Sequence, residues 1–425
     1  MKKDSENPII VVGGGAAGMM AACAAAGEGA KVLLLEKNEK LGKKIYITGK
    51  GRCNYTNCCE TEDFFRHVPC NPRFLYSSIY GFDPHAVMDW FESRGLKSAV
   101  ERGNRVFPAS SRASDVTKTL ETELKRLRVE IRLNCEVRDL LTEKEPERRV
   151  SGVRLGTGEL FRAEAVILAT GGKSYPSTGS TGDGYRFASS AGHKITELSP
   201  SLVPITVQDA DIPEMQGLSL KNVRFQVRDG RKTLFDDFGE MMFTHFGVTG
   251  PLILSASADL QKQIGKKPLS AEIDLKPALS EEKLDLRIVR DFEQNSNKVF
   301  RNAVSGLYPA RMQPVIIRRS GIPAGKAVHD ITKAERMELI RVTKHFQMTL
   351  TGLRGFQEAV ITHGGVSVKE VDPSTMESRI LPGLYLAGEL LDVDAYTGGF
   401  NLQIAWATGH AAGAAAAASA AERTG

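Results

Sequence analysis

Apolar and polar residues alternate in blocks up to about Gly192, and each block has the length of one secondary-structure element. Ile9–Val12 is a run of four β-branched residues, which is typical of a strand buried on both faces. An Ala-rich stretch over residues 19–26 predicts a helix, and the apolar run Val32–Leu35 predicts a second buried strand. Strand, helix and strand in this order indicate the first unit of a doubly wound α/β sheet.

Later segments of this first stretch continue the alternation. The apolar periodicity predicts helices over residues 84–94 and 113–127 and a strand over residues 129–141. Between residues 200 and about 275 the pattern changes to short alternating segments that lie between glycine-containing turns. This pattern predicts an antiparallel sheet or a small barrel.

The last third of the chain changes pattern twice more. Residues 280–345 are charged and predict helices, with Ser280 placed as an N-terminal cap, and strand character returns over residues 346–371. An apolar run over residues 383–389 then predicts a strand, and a long Ala- and Gly-rich helix begins near Asn401. The C-terminal region therefore repeats the strand-then-helix pattern of the N-terminal region, and the segments between them have a different pattern. This arrangement indicates a domain interrupted by an insertion.

Composition narrows the class of protein. A chain of 425 residues exceeds the size at which one hydrophobic core keeps growing, so two or three domains are expected. Charged residues at 25%, apolar residues at 41% and a formal net charge of +5 describe an ordinary soluble protein and give no case for nucleic-acid binding. The chain has no long uncharged apolar segment, so we expect a cytoplasmic protein without a membrane partner. Its oligomeric state is left open.

Glycines follow the first predicted strand at the spacing of a dinucleotide-binding turn. Gly13 permits the tight turn, Gly15 allows the backbone to approach a pyrophosphate, and Gly18 lets the helix pack close to the strand. Glu36, at the end of the second strand, is placed to accept hydrogen bonds from ribose hydroxyls. By itself this fingerprint predicts a dinucleotide, with NAD and FAD both open.

Two further predicted strands end in residues that are typical of nucleotide-binding sites. The buried run over residues 166–168 ends in Thr170-Gly171, and Val137 lies in the strand before it, where a backbone contact with adenine is expected. Near the C-terminus, Gly388-Glu389 follows a strand, so the carboxylate can bind ribityl hydroxyls. The helix that begins near Asn401 can direct its N-terminal N–H groups at the pyrimidine edge of a flavin.

Several long segments then resemble the HI0933-type flavoprotein family, which also contains aminoacetone-oxidase-like enzymes and a bile-acid-pathway reductase. The segments are the opening fingerprint and residues 41–54, 170–184, 243–251 and 388–403. The resemblance implies an α/β fold in which a Rossmann-type FAD-binding domain (residues 1–195 and 365–425) is interrupted by a β-rich, barrel-like domain (196–276 and 346–364) and a small helical insertion (277–345).

The resemblance and the motifs together give a set of candidate site residues. Those expected to hold FAD are Gly13, Gly15, Ala17, Gly18, Glu36, Lys37, Arg52, Cys53, Asn54, Val137, Thr170, Gly171, Gly388, Glu389, Asn401 and Leu402. Candidate catalytic residues are His245, His363 and Arg52, since a histidine that titrates near neutrality can move the proton that accompanies hydride transfer. The carboxylates Asp392 and Asp394 lack the spacing of a calcium loop, so no metal is expected.

These features predict an FAD-dependent oxidoreductase of a small organic substrate. The chain has no second Gly-x-Gly-x-x-Gly, so NAD(P)H is expected to dock transiently as the hydride donor. The resemblance favours reduction of an activated double bond such as an enone, with a steroid or bile acid as one substrate type. Two alternatives stay open: an amine oxidase that releases peroxide, and a non-catalytic redox sensor that uses the adjacent thiols Cys58 and Cys59.

Overall fold

The computed structural model describes residues 7–143 and 148–424. The chain forms two compact units: the first runs to Pro200 and resumes at Ala359, and the second is Ser201–Glu358. The strands of the first unit up to Pro200 are β1 (Ile9–Val12), β2 (Val32–Leu35), β3 (Thr56–Asn57), β4 (Ser98–Glu101), β5 (Arg105–Pro108), β6 (Glu130–Arg132), β7 (Val137–Glu143), β8 (Arg149–Leu155), β9 (Leu160–Arg162) and β10 (Ala165–Leu168).

The remaining strands follow in chain order. They are β11 (Ser199–Ser201), β12 (Ile205–Val207), β13 (Ser219–Asp229), β14 (Lys232–Phe243), β15 (Gly247–Thr249), β16 (Leu269–Asp274), β17 (Phe346–Leu353), β18 (Ile361–His363) and β19 (Leu384–Leu386). Strands β12 to β17 belong to the second unit, and β18 and β19 belong to the returning part of the first.

The α-helices alternate with these strands in the first unit and cluster in the second. They are α1 (Ala16–Gly27), α2 (Lys43–Ile47), α3 (Thr61–Phe64), α4 (Tyr76–Gly81), α5 (Pro84–Glu92), α6 (Ala113–Arg126), α7 (Asp183–Ala191), α8 (Pro251–Asp259), α9 (Glu281–Glu293), α10 (Phe300–Ala303), α11 (Gln313–Ser320), α12 (Lys333–Lys344) and α13 (Phe400–Thr424). Within residues 7–143 and 148–424, every helix is too short or too polar to span a lipid bilayer.

A parallel sheet organises the first unit. Its strand order is β19-β10-β1-β2-β6, and every adjacent pair is parallel. All residues of β1, β2 and β10 are buried, as expected for strands covered on both faces. The carboxyl ends of parallel strands meet at one edge of a sheet, so the segments after β1, β2, β10 and β19 come together there.

The C-terminal helix α13 packs against α1 with very close backbone approach. A Cβ atom on Gly409 would lie 2.3 Å from the carbonyl oxygen of Ala17, and one on Gly413 would lie 2.2 Å from that of Ala21. Small residues every four positions thus form a groove on α13 that receives the backbone of α1. Trp406 of α13 is fully buried and donates its indole N–H to the carbonyl of Tyr55 at 2.8 Å.

The second unit is a closed barrel with helices. Its strand order is β12-β15-β14-β13-β16-β17, and the adjacent strands pair antiparallel. Helices α9 to α12 share its hydrophobic core through buried residues such as Ile288, Val315 and Leu339. The Ser280 side chain caps α9 by accepting a hydrogen bond from the Lys283 N–H, as the sequence predicts.

The predicted fold class is confirmed: a Rossmann-type sheet and a barrel-like unit are both present. One predicted element is wrong. The strand expected over residues 129–141 is two strands, β6 in the parallel sheet and β7 in a separate sheet with β8 and β9. Asn134 between them has a φ of +56°, and this left-handed turn breaks the extended conformation. Apolar alternation cannot show such a break because both strands carry the same pattern.

Candidate functional site

An open cleft lies at the carboxyl edge of the parallel sheet. It encloses about 1330 Å³ of empty space, part of which is open to solvent. Its walls include the turn after β1, the ends of β2 and β10, the segment after β19 and the first turns of α13. Predicted cofactor residues that line it are Gly13, Gly15, Ala17, Glu36, Lys37, Val137, Thr170, Gly171, Glu389, Asn401 and Leu402. The cleft thus gathers segments that are distant in sequence.

The glycines after β1 have distinct environments. Gly13 has a φ of +106°, and a Cβ there would lie 2.6 Å from the carbonyl oxygen of Ala169. A Cβ on Gly18 would lie 1.8 Å from the Gly13 carbonyl, so this glycine permits the close contact between α1 and the turn. A Cβ on Gly15 would meet no atom within 4 Å. Gly15 therefore leaves its backbone open toward the cleft, at the N-terminus of α1, where anions bind.

Glu36 is a buried carboxylate, only 7% exposed, on the cleft wall. Its Oε2 accepts the Gly14 N–H at 2.7 Å, and its Oε1 accepts the backbone and side-chain N–H groups of Asn38 at 2.8 and 2.7 Å. These three bonds orient the carboxylate and link the glycine turn to the end of β2. A carboxylate has about four acceptor sites, so one site stays available for a ribose hydroxyl.

Lys37 lies beside Glu36 and pairs with Asp183 at the N-terminus of α7. Its Nζ is 2.6 Å from Asp183 Oδ2 and 2.6 Å from the hydroxyl of Thr181. Burial raises the pKa of the Asp183 carboxyl, but the hydrogen bonds from Lys37 and Thr181 outweigh burial and hold that pKa below its ordinary value. The carboxylate therefore keeps the charge of Lys37 fixed at the edge of the cleft.

Thr170 lines the cleft and carries a buried hydroxyl. Its Oγ1 is buried and, within the described part of the chain, is one of a few side-chain oxygens without a hydrogen-bond partner. The hydroxyl faces the first turn of α7 rather than the open cleft, since a Cβ on Gly184 would lie 2.0 Å from Oγ1. The neighbouring Gly171 has a φ of +72°, which a side chain rarely adopts.

Glu389 is the centre of a polar network on the cleft wall. Its Oε1 accepts the Thr362 N–H at 2.9 Å and the Thr362 hydroxyl at 3.0 Å, and Ser174 also donates to it. Its Oε2 forms an ion pair with Lys44 Nζ at 2.5 Å. The carboxylate thus joins segments near residues 44, 174 and 362, and its predicted ribityl contact would add to these bonds.

The N-terminus of α13 points its first N–H groups out of the helix. In the first turn, the N–H groups of Asn401 and Leu402 have no acceptor within the helix itself. The side chain of Asn401 binds the protein: its Oδ1 accepts the Ala395 N–H at 2.8 Å, and its Nδ2 donates to the Ala395 carbonyl at 2.6 Å. Asn401 therefore fixes the chain segment that leads into α13, while the backbone N–H groups of the first turn remain for a ligand.

Other predicted cofactor residues lie off the cleft wall. The pocket lining does not include Gly18, Arg52, Cys53, Asn54 or Gly388. Arg52 pairs with Glu101, which raises the pKa of the guanidinium, and it stacks 4.3 Å from the Phe107 ring centroid. Cys53 is fully buried, and burial raises the pKa of its thiol far above the ordinary range. Asn54 Oδ1 is buried without a hydrogen-bond partner within the described residues.

The two candidate histidines lie in different units. His245 is exposed, in the turn between β14 and β15 of the barrel. His363 is the last residue of β18, and its Nδ1 is 3.0 Å from Oδ1 of Asp394. The ligand atoms of His363, Asp394 and Cys70 all lie within 4.8 Å of one another. Sequence reasoning placed His363 but missed this cluster.

The sequence left three residues that bind Glu389 without a role, and one of them, Lys44, lines the cleft. Lys44 lies in the recognised segment over residues 41–54, and Thr362 directly precedes the candidate residue His363. Ser174 lies in the recognised segment over residues 170–184 but gave no separate signal. The structure joins all three to Glu389. The open Gly15 backbone, the oriented carboxylate of Glu36 and the N–H groups at the start of α13 together fit an extended dinucleotide.

Comparisons with known proteins agree with this geometry. The model of the HI0933-like protein Rossmann domain matches residues 7–415. A 3-dehydro-bile acid delta(4,6)-reductase of Clostridium scindens is 35% identical over 390 residues, which cover 91% of this chain and 93% of that protein. A ribosomal RNA dihydrouridine synthase of Haemophilus influenzae is 29% identical, with 90% of this chain and 92% of that protein covered.

Solved structures share the fold. The structure of a 3-ketosteroid delta1-dehydrogenase from Sterolibacterium denitrificans aligns with a TM-score of 0.53, covering 97% of this chain and 99% of that one. The two sequences are 13% identical, so the similarity concerns the fold alone.

Proposed function

Because the chain belongs to the HI0933-like family of Rossmann-domain proteins, we propose that it is an FAD-dependent oxidoreductase. Its reaction is the reduction of a carbon–carbon double bond conjugated to a carbonyl group, with NAD(P)H as the hydride donor. The single observation that carries the proposal is the cleft, which gathers the glycine turn, Glu36, Thr170 and the α13 N-terminus at one edge of the sheet.

The residues of the cleft suit the parts of FAD in order. The turn at Gly13–Gly15 and the start of α1 would bind the pyrophosphate, and Glu36 would bind the adenosine ribose. The N–H groups at the start of α13 would face the pyrimidine edge of the flavin, where negative charge develops on reduction. When bound, the flavin supplies hydride transfer. The protein positions the flavin, excludes water from it and provides the groups that hold the protons of the reaction.

The relatives support the substrate class. One is named as a reductase of 3-dehydro-bile acids, and another as a dihydrouridine synthase of ribosomal RNA. Dihydrouridine differs from uridine by two hydrogens added to a double bond conjugated to a carbonyl, so both names describe the same bond change. The higher identity to the bile-acid reductase favours a small substrate of the enone class.

Anaerobic mixing tests this proposal. The purified protein is expected to release FAD on denaturation, and NADH or NADPH is expected to bleach the flavin band. A 3-oxo-Δ4 bile acid should then restore it. If neither NADH nor NADPH bleached the flavin band, the proposal of a nicotinamide-dependent reductase would be excluded. Peroxide formation from aminoacetone in air, without nicotinamide, would instead support the amine oxidase.

A second candidate substrate is RNA, and one feature of the barrel favours it. Arg228, Arg231 and Lys232 are exposed at the tip of the β13–β14 hairpin. Lys267 contacts this tip through Asp229 at 2.6 Å, and Lys262 and Lys266 are exposed on the same loop. The exposed cations of this hairpin and of the loop after Asp259 form a basic surface of the kind that binds phosphates.

Filter binding separates the two substrates. If RNA is the substrate, 23S and 16S ribosomal RNA should bind with strong salt dependence, and the double substitution R231E/K232E should weaken binding at least about tenfold. The paired substitution K333E/R301E, away from the hairpin, serves as the control. Binding that neither substitution changes would remove the RNA candidate.

A further inference from the structure

Lys44 is a partly buried cation on the wall of the cleft. Its side chain is 27% exposed, and its Nζ donates to Glu389 Oε2 at 2.5 Å and to Ser174 Oγ at 2.5 Å. An ammonium group carries three N–H bonds, and within residues 7–143 and 148–424 Lys44 has these two acceptors and no third. The third N–H is therefore available to water or to a ligand in the cleft.

The hydrogen bonds around Glu389 define the direction of the protons in this network. Ser174 Oγ accepts from the Lys44 ammonium, which can only donate, so the Ser174 hydroxyl donates to Glu389 Oε1. The Thr362 hydroxyl accepts the Ser174 N–H at 3.2 Å and donates to Oε1 in the same way. Glu389 is thus a carboxylate that only accepts. Of the four side chains in the network, Lys44 is the one that keeps a donor for a ligand.

The segment that carries Lys44 rests on the glycine turn before α1. Gly42, two residues earlier, donates its N–H to the Gly14 carbonyl at 2.8 Å. The segment of the carboxylate partner rests on α1 itself, since a Cβ on Gly388 would lie 2.8 Å from the Cβ of Ala17 in the first helical turn. The ion pair therefore lies beside the N-terminus of α1, where free N–H groups favour an anion.

Among the described residues, two other lysines line the cleft, and both bind the side of Glu36. Lys37 Nζ is 2.6 Å from Asp183 Oδ2, next to Glu36 in the chain. Lys43 Nζ donates to Asn38 Oδ1 at 3.3 Å, and the Asn38 amide in turn donates to Glu36 at 2.7 Å. The cation that faces Glu389 is thus separate from the two that serve the Glu36 side of the cleft.

We propose that Lys44 binds the pyrophosphate of the dinucleotide through its third N–H, with Ser174 and Glu389 holding the ammonium in place. The inference rests on the function proposed above, because it concerns the cofactor of that reaction. The N-terminus of α1 supplies only about half an elementary charge, whereas each phosphate of a dinucleotide carries a full negative charge. Lysine is a common point-charge ligand of phosphate, so Lys44 supplies charge that the helix lacks.

The first arm of the test measures cofactor affinity. Binding of FAD to the flavin-free, full-length protein is followed by quenching of flavin fluorescence. K44M should raise the dissociation constant about 10- to 100-fold, whereas K44R should stay within about fivefold of the wild type, because a guanidinium also donates to phosphate. Lys40 is exposed and does not line the cleft, so K40M should bind FAD as the wild type does. Equal affinities for K44M and the wild type would overturn the proposal.

The double variant K44M/E389Q separates binding from folding. K44M leaves the Glu389 carboxylate without its cation, and the double variant removes both charges together. If Lys44 contacts the cofactor, the double variant should bind FAD no better than K44M. A dissociation constant restored to that of the wild type would show that Lys44 serves only to neutralise Glu389, and the proposal would fail.

The second arm identifies the part of the cofactor that Lys44 contacts. At saturating FAD, phosphorus NMR of the bound cofactor should show shifted pyrophosphate resonances in K44M and unchanged resonances in K40M, while the reduction potential of the bound flavin in K44M stays at the wild-type value. Pyrophosphate resonances that do not move in K44M would overturn the proposal, whatever the potential does. A wild-type protein that binds no FAD would instead remove the proposed function, whereas a wild type and a K44M that bind FAD alike remove only this inference.

Discussion

Lys44 and Glu389 are 345 positions apart in the chain, yet their side chains form an ion pair at 2.5 Å on the wall of the cleft. Glu389 is 11% exposed and Lys44 is 27% exposed, so both charges are partly withdrawn from water. The pair ties the segment after β2 to the segment that precedes α13. These are the two ends of the chain that the predicted cofactor would have to bridge.

We predict that this pair is strongly coupled. A double-mutant cycle with K44M and E389Q, measured by urea unfolding of the flavin-free protein, should give a coupling energy of about 1–3 kcal/mol. The exposed pair of Lys43 and Glu39, at 3.0 Å with Glu39 61% exposed, is the matched control and should give less than about 0.5 kcal/mol. Additive effects of K44M and E389Q would contradict the prediction.

The ribose contact of Glu36 predicts a loss of cofactor affinity. E36A should weaken FAD binding to the apoprotein about 10- to 100-fold, because a charge-assisted hydrogen bond is lost and the glycine turn loses its acceptor. Quenching of FAD fluorescence measures the dissociation constant. E28A, an exposed carboxylate at the end of α1, should bind FAD as the wild type does. Equal affinities for E36A and the wild type would exclude the ribose role.

The contact between α1 and α13 predicts a position where one methyl group destabilises the fold. A Cβ on Gly413 would lie 2.2 Å from the carbonyl oxygen of Ala21, so G413A must push the helices apart. We expect the free energy of unfolding to fall by about 1–3 kcal/mol. On Gly27 a Cβ would meet no atom within 4 Å, and G27A should have little effect or stabilise slightly. Equal shifts of the thermal unfolding temperature in G413A and G27A would refute this contact.

The buried histidine His193 makes the free energy of unfolding depend on pH. Burial lowers the pKa of His193 below 6.5, against the opposing effect of Glu370, whose Oε2 is 3.3 Å from Nδ1. The unfolded state then binds more protons below about pH 6.5, so the free energy of unfolding falls as the pH falls, by at most about 1.4 kcal/mol per pH unit for this group.

The histidine effect can be isolated by substitution. H193Q should reduce the slope of unfolding free energy against pH between pH 7 and 5, because one titrating group is removed. Ser378, whose hydroxyl is 2.7 Å from His193 Nε2, offers a partner to the new amide. H245Q, at an exposed turn, is the control and should retain the wild-type slope. A slope unchanged in H193Q would show that His193 titrates alike in the folded and unfolded states.

Local sequence patterns were sufficient where the structural cause is local. The run Ile9–Val12, the glycines that follow it and Glu36 predicted a strand, a turn and an acid, and the structure contains them in that order. Ser280 predicted its own cap because an N-cap needs only its hydroxyl and the following N–H groups. The strand expected over residues 129–141 failed because its break depends on the conformation of one residue, Asn134.

The sequence by itself therefore determined the class of fold and the candidate nucleotide-binding residues, since periodicity and glycine spacing are local properties of the chain. Only the tertiary structure decided which polar groups meet. Lys44 and Glu389 meet because the segments after β2 and β19, two strands of the parallel sheet, share its carboxyl edge. His363 ends β18, which pairs with β11 in a separate sheet, and tertiary packing brings it to Asp394 and Cys70. Nothing in the spacing of these residues predicts a contact, because the distance between them depends on how the sheet and α13 close around the cleft.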